Sequence, residues 1–270
     1  MKKVVLITGA SAGIGKETAA FLQKNGYIVY GAARRTDRLK ELEQQGVKTL
    51  AMDVTDDVSM VKGIQTIIAN EGRLDILVNN AGFGSYGAIE DVTIEDARYQ
   101  LEVNVFGAAR LMQLVLPHMR KQRFGKIVNI SSIGGKFAMP FGGWYHASKF
   151  AIEGLSDSLR NEVKPFGIDV IVVEPGGIKT EWGGIAMDSM VKVSGNTAYK
   201  DMVTKMDRSF KEVNDKTPGP ELIAALIKKA IEAKKSKARY SAGYMAKPLL
   251  FLRKLLSDNL MDKLIMSQMK

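Results

Sequence analysis

A tyrosine and a lysine four residues apart are the part of the sequence best suited to chemistry. Tyr145 and Lys149 close the stretch 132–149, and on a helix that spacing places both side chains on one face. Free tyrosine has a pKa near 10, and an ammonium within about 4–6 Å lowers that pKa by favouring the phenolate. Such a pair could transfer a proton near pH 7, as carbonyl–alcohol interconversion requires. The alternative is a solvated lysine beside a half-buried tyrosine.

Two further polar residues are candidates for the same chemistry. Ser132 lies thirteen residues before Tyr145, directly after an apolar run, where its hydroxyl could hold a substrate oxygen. Asn104 lies within 95–122, a segment whose apolar spacing predicts one long amphipathic helix. We interpret Asn104 either as a polar residue that a helix tolerates or as the site of a water relay.

The elements that must position these residues alternate between short apolar runs and helical segments. The apolar runs predict strands over residues 4–8, 28–33, 47–52, 76–78, 126–130, 169–173 and 238–242. The remaining periodicity predicts helices over 16–25, 58–71, 95–122, 145–164 and 221–233, and two short amphipathic helices from 248 onward. This order predicts an α/β fold with a doubly wound parallel sheet and helices on both faces, in a single domain over 1–270. In such sheets ligands bind at the carboxyl ends of the strands.

A glycine-rich turn joins the first predicted strand to the first predicted helix. Its pattern is G-x-x-x-G-x-G, not the G-x-G-x-x-G of the dinucleotide fingerprint. Such a turn lets the backbone approach a pyrophosphate, which the N-terminus of the helix stabilises. The alternative is a tight turn without a ligand. The candidate cofactor-binding residues of the turn are Gly9, Ser11, Gly13, Ile14 and Gly15.

The end of the second strand distinguishes between the two nicotinamide cofactors. An acidic residue there would accept a hydrogen bond from the ribose 2′-hydroxyl of NAD, but Arg34 and Arg35 follow the strand and the first acid is Asp37. A guanidinium pairs with a 2′-phosphate, which a carboxylate would repel. We therefore expect NADP(H) to be preferred over NAD(H), with Arg34 as the main contact and Arg35 as the second. The alternative is a pair of solvated arginines at the start of a helix.

Polar and small residues follow two other strands at the same edge of the predicted sheet. Asp53 and Val54 follow the third strand, where they could meet an adenine edge. Asn80 follows the fourth, and an asparagine there can bond the backbone of a neighbouring strand. The small residues Ala81 and Gly82 come next and leave room for a cofactor.

The composition excludes several kinds of site. The sequence has no cysteine and only two histidines, His118 and His146, so we expect neither thiolate chemistry nor a metal site. The apolar run after the first lysines is too short for a signal peptide, and no stretch approaches the ~20 apolar residues of a membrane span. We therefore expect a cytoplasmic protein.

The net charge of +10 is concentrated near the end of the chain. Residues 228–270 contain eleven Lys and Arg against three acids, which leaves about +2 for the rest. Nucleic-acid binding by the main body is therefore not expected. The basic amphipathic tail, about 244–270, could cover the substrate pocket, form a subunit contact or lie on a membrane surface, the last being the least expected.

Residues 179–216 have weaker periodicity and several methionines. We interpret this segment as a lid over the substrate; the alternative is a surface insertion with ordinary packing. Several aromatic and methionine residues in the segments near the reacting carbon predict an apolar or amphipathic carbonyl substrate, unless they are simply core. These residues are Phe83, Phe137, Met139, Phe141, Trp144 and Trp182.

The motifs occur together and in order. The set TGASAGIG, NNAG, Asn104, Ser132, YHASK and PGGIKT resembles the short-chain dehydrogenase/reductase family in its roughly 250-residue form. The resemblance covers about residues 2–180 and leaves the lid and tail outside. One position departs from a frequent pattern of NADP-binding members, because Ala12 stands where a basic residue often precedes the second glycine.

The resemblance implies a role for each matching residue. Tyr145 would be the acid or base, and Lys149 would lower its pKa and bond the nicotinamide ribose. Ser132 would orient the substrate carbonyl, and Asn104 would hold a water that links Lys149 to solvent. The glycine turn would line the pyrophosphate, and Asn80 and Val54 would lie by the adenosine half. The residues flanking the nicotinamide would be Pro175, Gly176, Ile178 and Thr180.

The activity implied is the interconversion of a carbonyl and a secondary alcohol on a small molecule. Hydride would pass between nicotinamide C4 and the carbonyl carbon while Tyr145 moves the proton. A homodimer or homotetramer through the helices of Asn104 and Lys149 is also implied. The alternative of another class is a cofactor-sensing regulator without turnover, which we would expect to lack Ser132, Tyr145 or Lys149. A sugar-nucleotide epimerase would be longer, with a differently spaced glycine turn.

Overall fold

The computed structural model describes residues 2–214 and 216–267. Residues 1, 215 and 268–270 lie outside the described residues. They belong to the predicted domain, and 215 and 268–270 also belong to the predicted lid and tail. Within the described ranges one seven-stranded sheet is found, in the order β3-β2-β1-β4-β5-β6-β7, and all its neighbouring strands are parallel. The strands are β1 (Val4–Thr8), β2 (Ile28–Ala33), β3 (Lys48–Ala51), β4 (Ile76–Asn79), β5 (Gly125–Ile130), β6 (Ile168–Pro175) and β7 (Arg239–Ala242).

Helices connect these strands and extend beyond the last of them. The helices are α1 (Gly13–Lys24), α2 (Lys40–Gln44), α3 (Asp57–Glu71), α4 (Ile94–Leu101), α5 (Gly107–Gln122), α6 (Gly143–Val163), α7 (Glu181–Ser194), α8 (Lys200–Asn214), α9 (Glu221–Glu232), α10 (Ala246–Leu255) and α11 (Asp258–Ser267).

The sheet is buried on both faces, as its continuous apolar strands predict. Along β1, Val4 and Leu6 point into a core shared with α3 and α5, whereas Val5 and Ile7 point into a second core shared with α1 and α9. Burying a side chain of this size stabilises the fold by about 1.5–3 kcal/mol. The predicted α/β fold, with a doubly wound parallel sheet, helices on both faces and a single domain, is confirmed.

The strand order decides where a ligand can bind. The chain builds outward from β1 to β2 and β3, and then returns to β1's other side with β4. At such a reversal the loops after adjacent strands diverge and leave a crevice at the carboxyl ends. The glycine-rich turn follows β1, and Ser132 follows β5 two positions away in the sheet.

Two predicted elements differ from the structure. The single helix predicted over 95–122 is divided by a π-helical segment, Glu102–Phe106, a feature frequent at functional sites. Here the buried side chain of Asn104 bonds the backbone of Phe83 through both its amide atoms. The segment interpreted as a lid, about 179–216, had no helices predicted within it and contains the two helices α7 and α8.

The tail packs against the loop that follows β5. Met261 and Ile265 of α11 and Leu249 of α10 contact Phe137 and Ile133. Within the ranges 2–214 and 216–267, no helix has the length and apolar character that crossing a bilayer requires.

Candidate active site

Ser132, Tyr145 and Lys149 come together beside the crevice. Ser132 starts the loop after β5, and its hydroxyl lies close enough to the phenol of Tyr145 on α6 to act on the pKa of that phenol. The Gly134 N–H donates to Ser132 Oγ (3.0 Å) and so fixes the hydroxyl. Lys149 lies one turn after Tyr145, with its Nζ 5.7 Å from the centre of the tyrosine ring. That Nζ donates to the Ile130 carbonyl at the end of β5 (2.9 Å).

The pKa of Tyr145 is shifted in the direction opposite to the one predicted. Burial raises it to about 12, although the nearby Ser132 hydroxyl acts to lower it. Burial also lowers the pKa of Lys149 to about 8, although the charge of Glu153 acts to raise it. The predicted lowering does not occur, because burial destabilises the phenolate more than the Ser132 hydroxyl stabilises it. The Lys149 ammonium donates to the backbone carbonyl of Ile130 instead. At neutral pH the phenol is protonated, as a proton donor must be, although a general acid acts best with a pKa near the working pH.

Asn104 and Lys149 border the same small space. A Cβ built on Gly82 would lie 3.1 Å from Asn104 Oδ1 and 3.8 Å from Lys149 Nζ. Asn104 Oδ1 accepts from the Phe83 N–H (3.0 Å), and its Nδ2 donates to the Phe83 carbonyl (2.9 Å) and to Ser148 Oγ (3.0 Å). Only one acceptor position of Asn104 therefore remains for a water, and most of its hydrogen bonds hold the loop after β4 in place.

His146 has a role that the sequence did not reveal. Its Nε2 accepts from the Met139 N–H (3.0 Å), so its Nδ1 carries the proton and donates to the Gly134 carbonyl (2.9 Å). Burial lowers the pKa of His146, which keeps the ring neutral and able to bond in both directions. His146, which follows Tyr145 on α6, thus links this helix to the loop that contains Ser132. No spacing in the sequence indicates this, because the bond partners are backbone groups.

The glycine turn has the geometry of a phosphate cradle. Gly9 and Gly13 have positive φ values of 66° and 53°, which other residues rarely adopt. A Cβ on Gly15 would lie 2.4 Å from Asn80 Nδ2, and that amide donates to the carbonyl of Thr8 (2.9 Å). The predicted bond from an asparagine to a neighbouring strand is confirmed at Asn80.

The N-terminus of α1 is open to an anion. Its first turn contains no acid, and Ala12 at its N-cap forms no side-chain hydrogen bond. The predicted residues Ser11 and Ile14 lie in this turn and at the helix start. The backbone N–H groups and the helix dipole are therefore available to a pyrophosphate. The donors and the close backbone approach fit the dinucleotide that the sequence predicts.

The side of the crevice that was predicted to bind adenosine contains three charged residues of the predicted set. Arg34 donates to the Tyr99 hydroxyl (2.6 Å) and lies 3.9 Å from Asp53. The other oxygen of Asp53 accepts from the backbone and hydroxyl of Thr55. Arg35 donates to Ser11 Oγ (3.2 Å) on the glycine turn. Val54, next to Asp53, is buried.

A third arginine lies with Arg35 and was not predicted. Arg38 and Arg35 both pair with Glu181, the first residue of α7. The signal for Arg38 was present as a third basic residue just after the second strand, but its partner is 143 positions away. The sequence could not show that pairing.

The loop after β6 closes the other side of the crevice. Pro175 ends β6, and the Gly176 N–H donates to the Ala242 carbonyl of β7 (2.8 Å). Thr180 lies against the glycine turn, because a Cβ on Gly13 would be 3.3 Å from its methyl group. Ile178 packs against the second core. On the opposite side, Ala81 packs beside the first core and precedes Gly82.

An apolar cluster packs around the ring of Tyr145. The ring centroid of Trp182, on α7, lies 4.9 Å from that of Tyr145, and Tyr86 lies 5.7 Å from it. Phe141 and Met187 also belong to this cluster. Three other residues of the predicted set lie outside this cluster: the ring of Phe83 is tilted against that of Tyr99, and Phe137 and Met139 pack against the tail.

Comparison with known proteins agrees with this geometry. The model of the family described as short chain dehydrogenase matches residues 3–188. The chain belongs to the short-chain dehydrogenase/reductase family. This confirms the family inferred from the motifs and identifies the protein as an oxidoreductase of a fold that binds NAD or NADP.

Two curated relatives are reductases. A 3-ketodihydrosphingosine reductase of Bacteroides thetaiotaomicron is 40% identical over 263 residues, which are 96% of this chain and 95% of the relative. An NADPH-dependent 3-dehydrocapnine reductase of Ornithobacterium rhinotracheale is 34% identical over 99% of this chain and 98% of the relative. Among solved structures, a short-chain dehydrogenase from Streptomyces avermitilis is 36% identical, with a TM-score of 0.78 over 90% of this chain and 89% of that one.

Proposed function

We propose that this oxidoreductase is an NADP(H)-dependent reductase that interconverts a ketone and a secondary alcohol on a lipophilic small molecule. The observation that carries the proposal is the contact of the Ser132 hydroxyl with the Tyr145 phenol, beside Lys149 and at the edge of the glycine-turn crevice.

The site residues divide the proposed reaction between them. A bound nicotinamide supplies or accepts the hydride. Ser132 and Tyr145 hold the substrate oxygen between two hydroxyl groups, and the protonated Tyr145 donates its proton as the alcohol forms. Lys149, charged below a pKa of about 8, stabilises the phenolate that remains. Reprotonation then passes through the space shared by Lys149 and Asn104.

The preference for NADP(H) rests on the charge at the adenosine side. Arg35 and Arg38 converge on one carboxylate there, and two guanidiniums that bind a carboxylate can also bind a phosphate. Arg34, expected as the main contact, lies beside the acid Asp53, so we assign the 2′-phosphate to Arg35 and Arg38 first. The relative whose name specifies NADPH supports the same preference.

The proposal of an apolar substrate is based on the cluster around Tyr145. Buried aromatic and methionine side chains from α7 and from the loop before α6 form the wall on the reacting side, and we propose that α7 and α8 act as the lid. The relatives named for reducing 3-ketodihydrosphingosine and 3-dehydrocapnine support a lipid-like ketone, since the first compound is a long-chain aliphatic ketone. We propose that the tail extends this wall beyond Phe137.

A steady-state assay with both cofactors and a panel of ketones tests the proposal. We expect kcat/KM to be about tenfold to hundredfold higher with NADPH than with NADH, because a charge-assisted hydrogen bond contributes about 1.5–3 kcal/mol. Long-chain aliphatic 3-ketones should be reduced in preference to small polar sugars. A clear preference for NADH would refute the cofactor assignment, and turnover of sugars alone would refute the apolar pocket.

We also propose a homodimer or homotetramer through the helices of Asn104 and Lys149. Large apolar side chains are exposed on both: Phe106 is 58% exposed, Phe150 47% and Leu155 39%. Contiguous exposed apolar groups are typical of subunit contacts. Phe150→Glu should therefore shift the mass measured by light scattering towards that of the monomer. The control is Val58→Glu, which places the same charge at a 74% exposed position on α3; equal behaviour of the two variants would contradict the proposed interface.

A further inference from the structure

The first turn of α7 bridges both ends of the cofactor crevice. Thr180, just before the helix, lies against Gly13 of the glycine turn. Glu181 pairs with the two arginines at the adenosine end. Trp182 covers the ring of Tyr145 at the reacting end, and a Cβ on Gly84 would lie 2.7 Å from its indole. Three consecutive residues therefore connect the phosphate site to the catalytic tyrosine.

Glu181 fills an anion site. Its Oε1 accepts from Arg35 Nη2 and from Arg38 Nη1 (both 3.1 Å), and its Oε2 accepts from Arg38 Nη1 (3.0 Å). Burial acts to raise the pKa of Glu181, but the two guanidiniums outweigh it and lower the pKa, so the carboxylate is charged at neutral pH. Arg35 also donates to Ser11 on the glycine turn, which places this anion site beside the predicted pyrophosphate.

A carboxylate and a phosphate compete for this site. Both are anions that need the same guanidinium donors, and two anions in contact repel each other. A ligand phosphate that takes the donors now bound to Glu181 therefore displaces its carboxylate. A nucleotide without that phosphate leaves the Glu181 ion pairs intact.

We infer that Glu181 is an internal substitute for the 2′-phosphate of the cofactor, and that displacing it releases the first turn of α7, including Trp182, from Tyr145. Glu181 is thus a specificity-determining residue that couples recognition of the phosphate to opening of the lid. The inference rests on the proposed preference for NADP(H).

Binding of two simple nucleotides tests this without turnover. Adenosine 2′,5′-bisphosphate and AMP differ only in the 2′-phosphate, and their Kd values can be measured by calorimetry. Glu181→Gln should lower the Kd of the bisphosphate by about fivefold to tenfold, because exposed ion pairs contribute up to about 1 kcal/mol each. The Kd of AMP should not change. Asp188→Asn is the matched control, since it removes the same charge from an exposed position on the same helix and should change neither Kd.

Tryptophan fluorescence provides a second readout. The chain has two tryptophans, and Trp182 lies on the Tyr145 ring. The bisphosphate should change the emission of the wild type, whereas AMP should not, and Trp182→Phe should abolish the change. An emission change of equal size with both nucleotides would overturn the coupling.

The outcomes separate this inference from the proposed cofactor. The wild type could prefer the bisphosphate while Glu181→Gln leaves the Kd of the bisphosphate unchanged. The cofactor assignment would then stand, and the inference that Glu181 occupies the phosphate site would be refuted. If the wild type does not discriminate but Glu181→Gln then favours the bisphosphate, Glu181 does occupy the site and the wild-type preference for NADP(H) is refuted. Arg38→Gln should raise the Kd of the bisphosphate and leave that of AMP unchanged. An unchanged Kd for the bisphosphate would show that Arg38 does not bind the phosphate.

Discussion

Tyr145→Phe should reduce kcat for ketone reduction by about 10²–10⁴-fold, the usual contribution of a positioned proton donor, while NADPH binding stays measurable. The phenol lies beside the Ser132 hydroxyl and is protonated at neutral pH, since the ordinary pKa of tyrosine is near 10 and burial raises it to about 12. Removing the hydroxyl leaves the apolar cluster in place, since the ring that packs against Trp182 is retained. Single-turnover and steady-state rates, together with a Kd for NADPH, measure the effect.

The control for this substitution is in the same cluster. Tyr86→Phe removes a buried hydroxyl from a ring whose centroid lies 5.7 Å from that of Tyr145. It should leave most of kcat intact, because Tyr86 is not placed beside Ser132. Near-wild-type kcat in Tyr145→Phe, or an equal loss in both variants, would refute the role of Tyr145.

Lys149→Met should lower kcat by about 10²–10³-fold, the effect of removing one stabilising charge from a transition state, and should change how stability depends on pH. Burial lowers the pKa of Lys149 from 10.5 to about 8. Between these values the unfolded lysine is protonated and the folded one is not, so the unfolded state binds more protons and stability rises with pH. Relative to Lys149→Met, the wild type should gain about 2 kcal/mol in free energy of unfolding from pH 7.5 to pH 10.

Urea unfolding of both proteins at the two pH values measures this gain. A buried lysine away from the site serves as the kinetic control: Lys126, at the amino end of β5, donates to the Ala233 carbonyl (2.8 Å) and to Ser236 Oγ (2.9 Å). Lys126→Met should leave kcat nearly unchanged. A difference in unfolding free energy between wild type and Lys149→Met that does not vary with pH would contradict the lowered pKa.

The fold was predictable because its information is local. The run Ile28–Ala33 is a strand with the bounds predicted from its apolar residues, and the glycines after β1 have the positive φ values that such a turn requires. Alternation of strands and helices then leaves few topologies open. The same order brought Ser132, Tyr145 and Lys149 to one edge of the sheet.

What depends on distant parts of the chain was not predictable. Spacing showed that Tyr145 and Lys149 share a helix face, but the direction of their pKa shifts depends on how completely other elements exclude water from them. The π-helical segment contains Asn104, whose side chain forms hydrogen bonds with the backbone of Phe83, 21 positions earlier.

The sequence by itself therefore determined the sheet, the crevice and the residue types that meet there, because periodicity and turn chemistry act over a few residues. Only the tertiary structure decided which arginines converge on an anion, which histidine holds the Ser132 loop and which residue covers Tyr145. Charges and burial are set by neighbours in space, and Glu181 meets Arg38 across 143 positions of sequence.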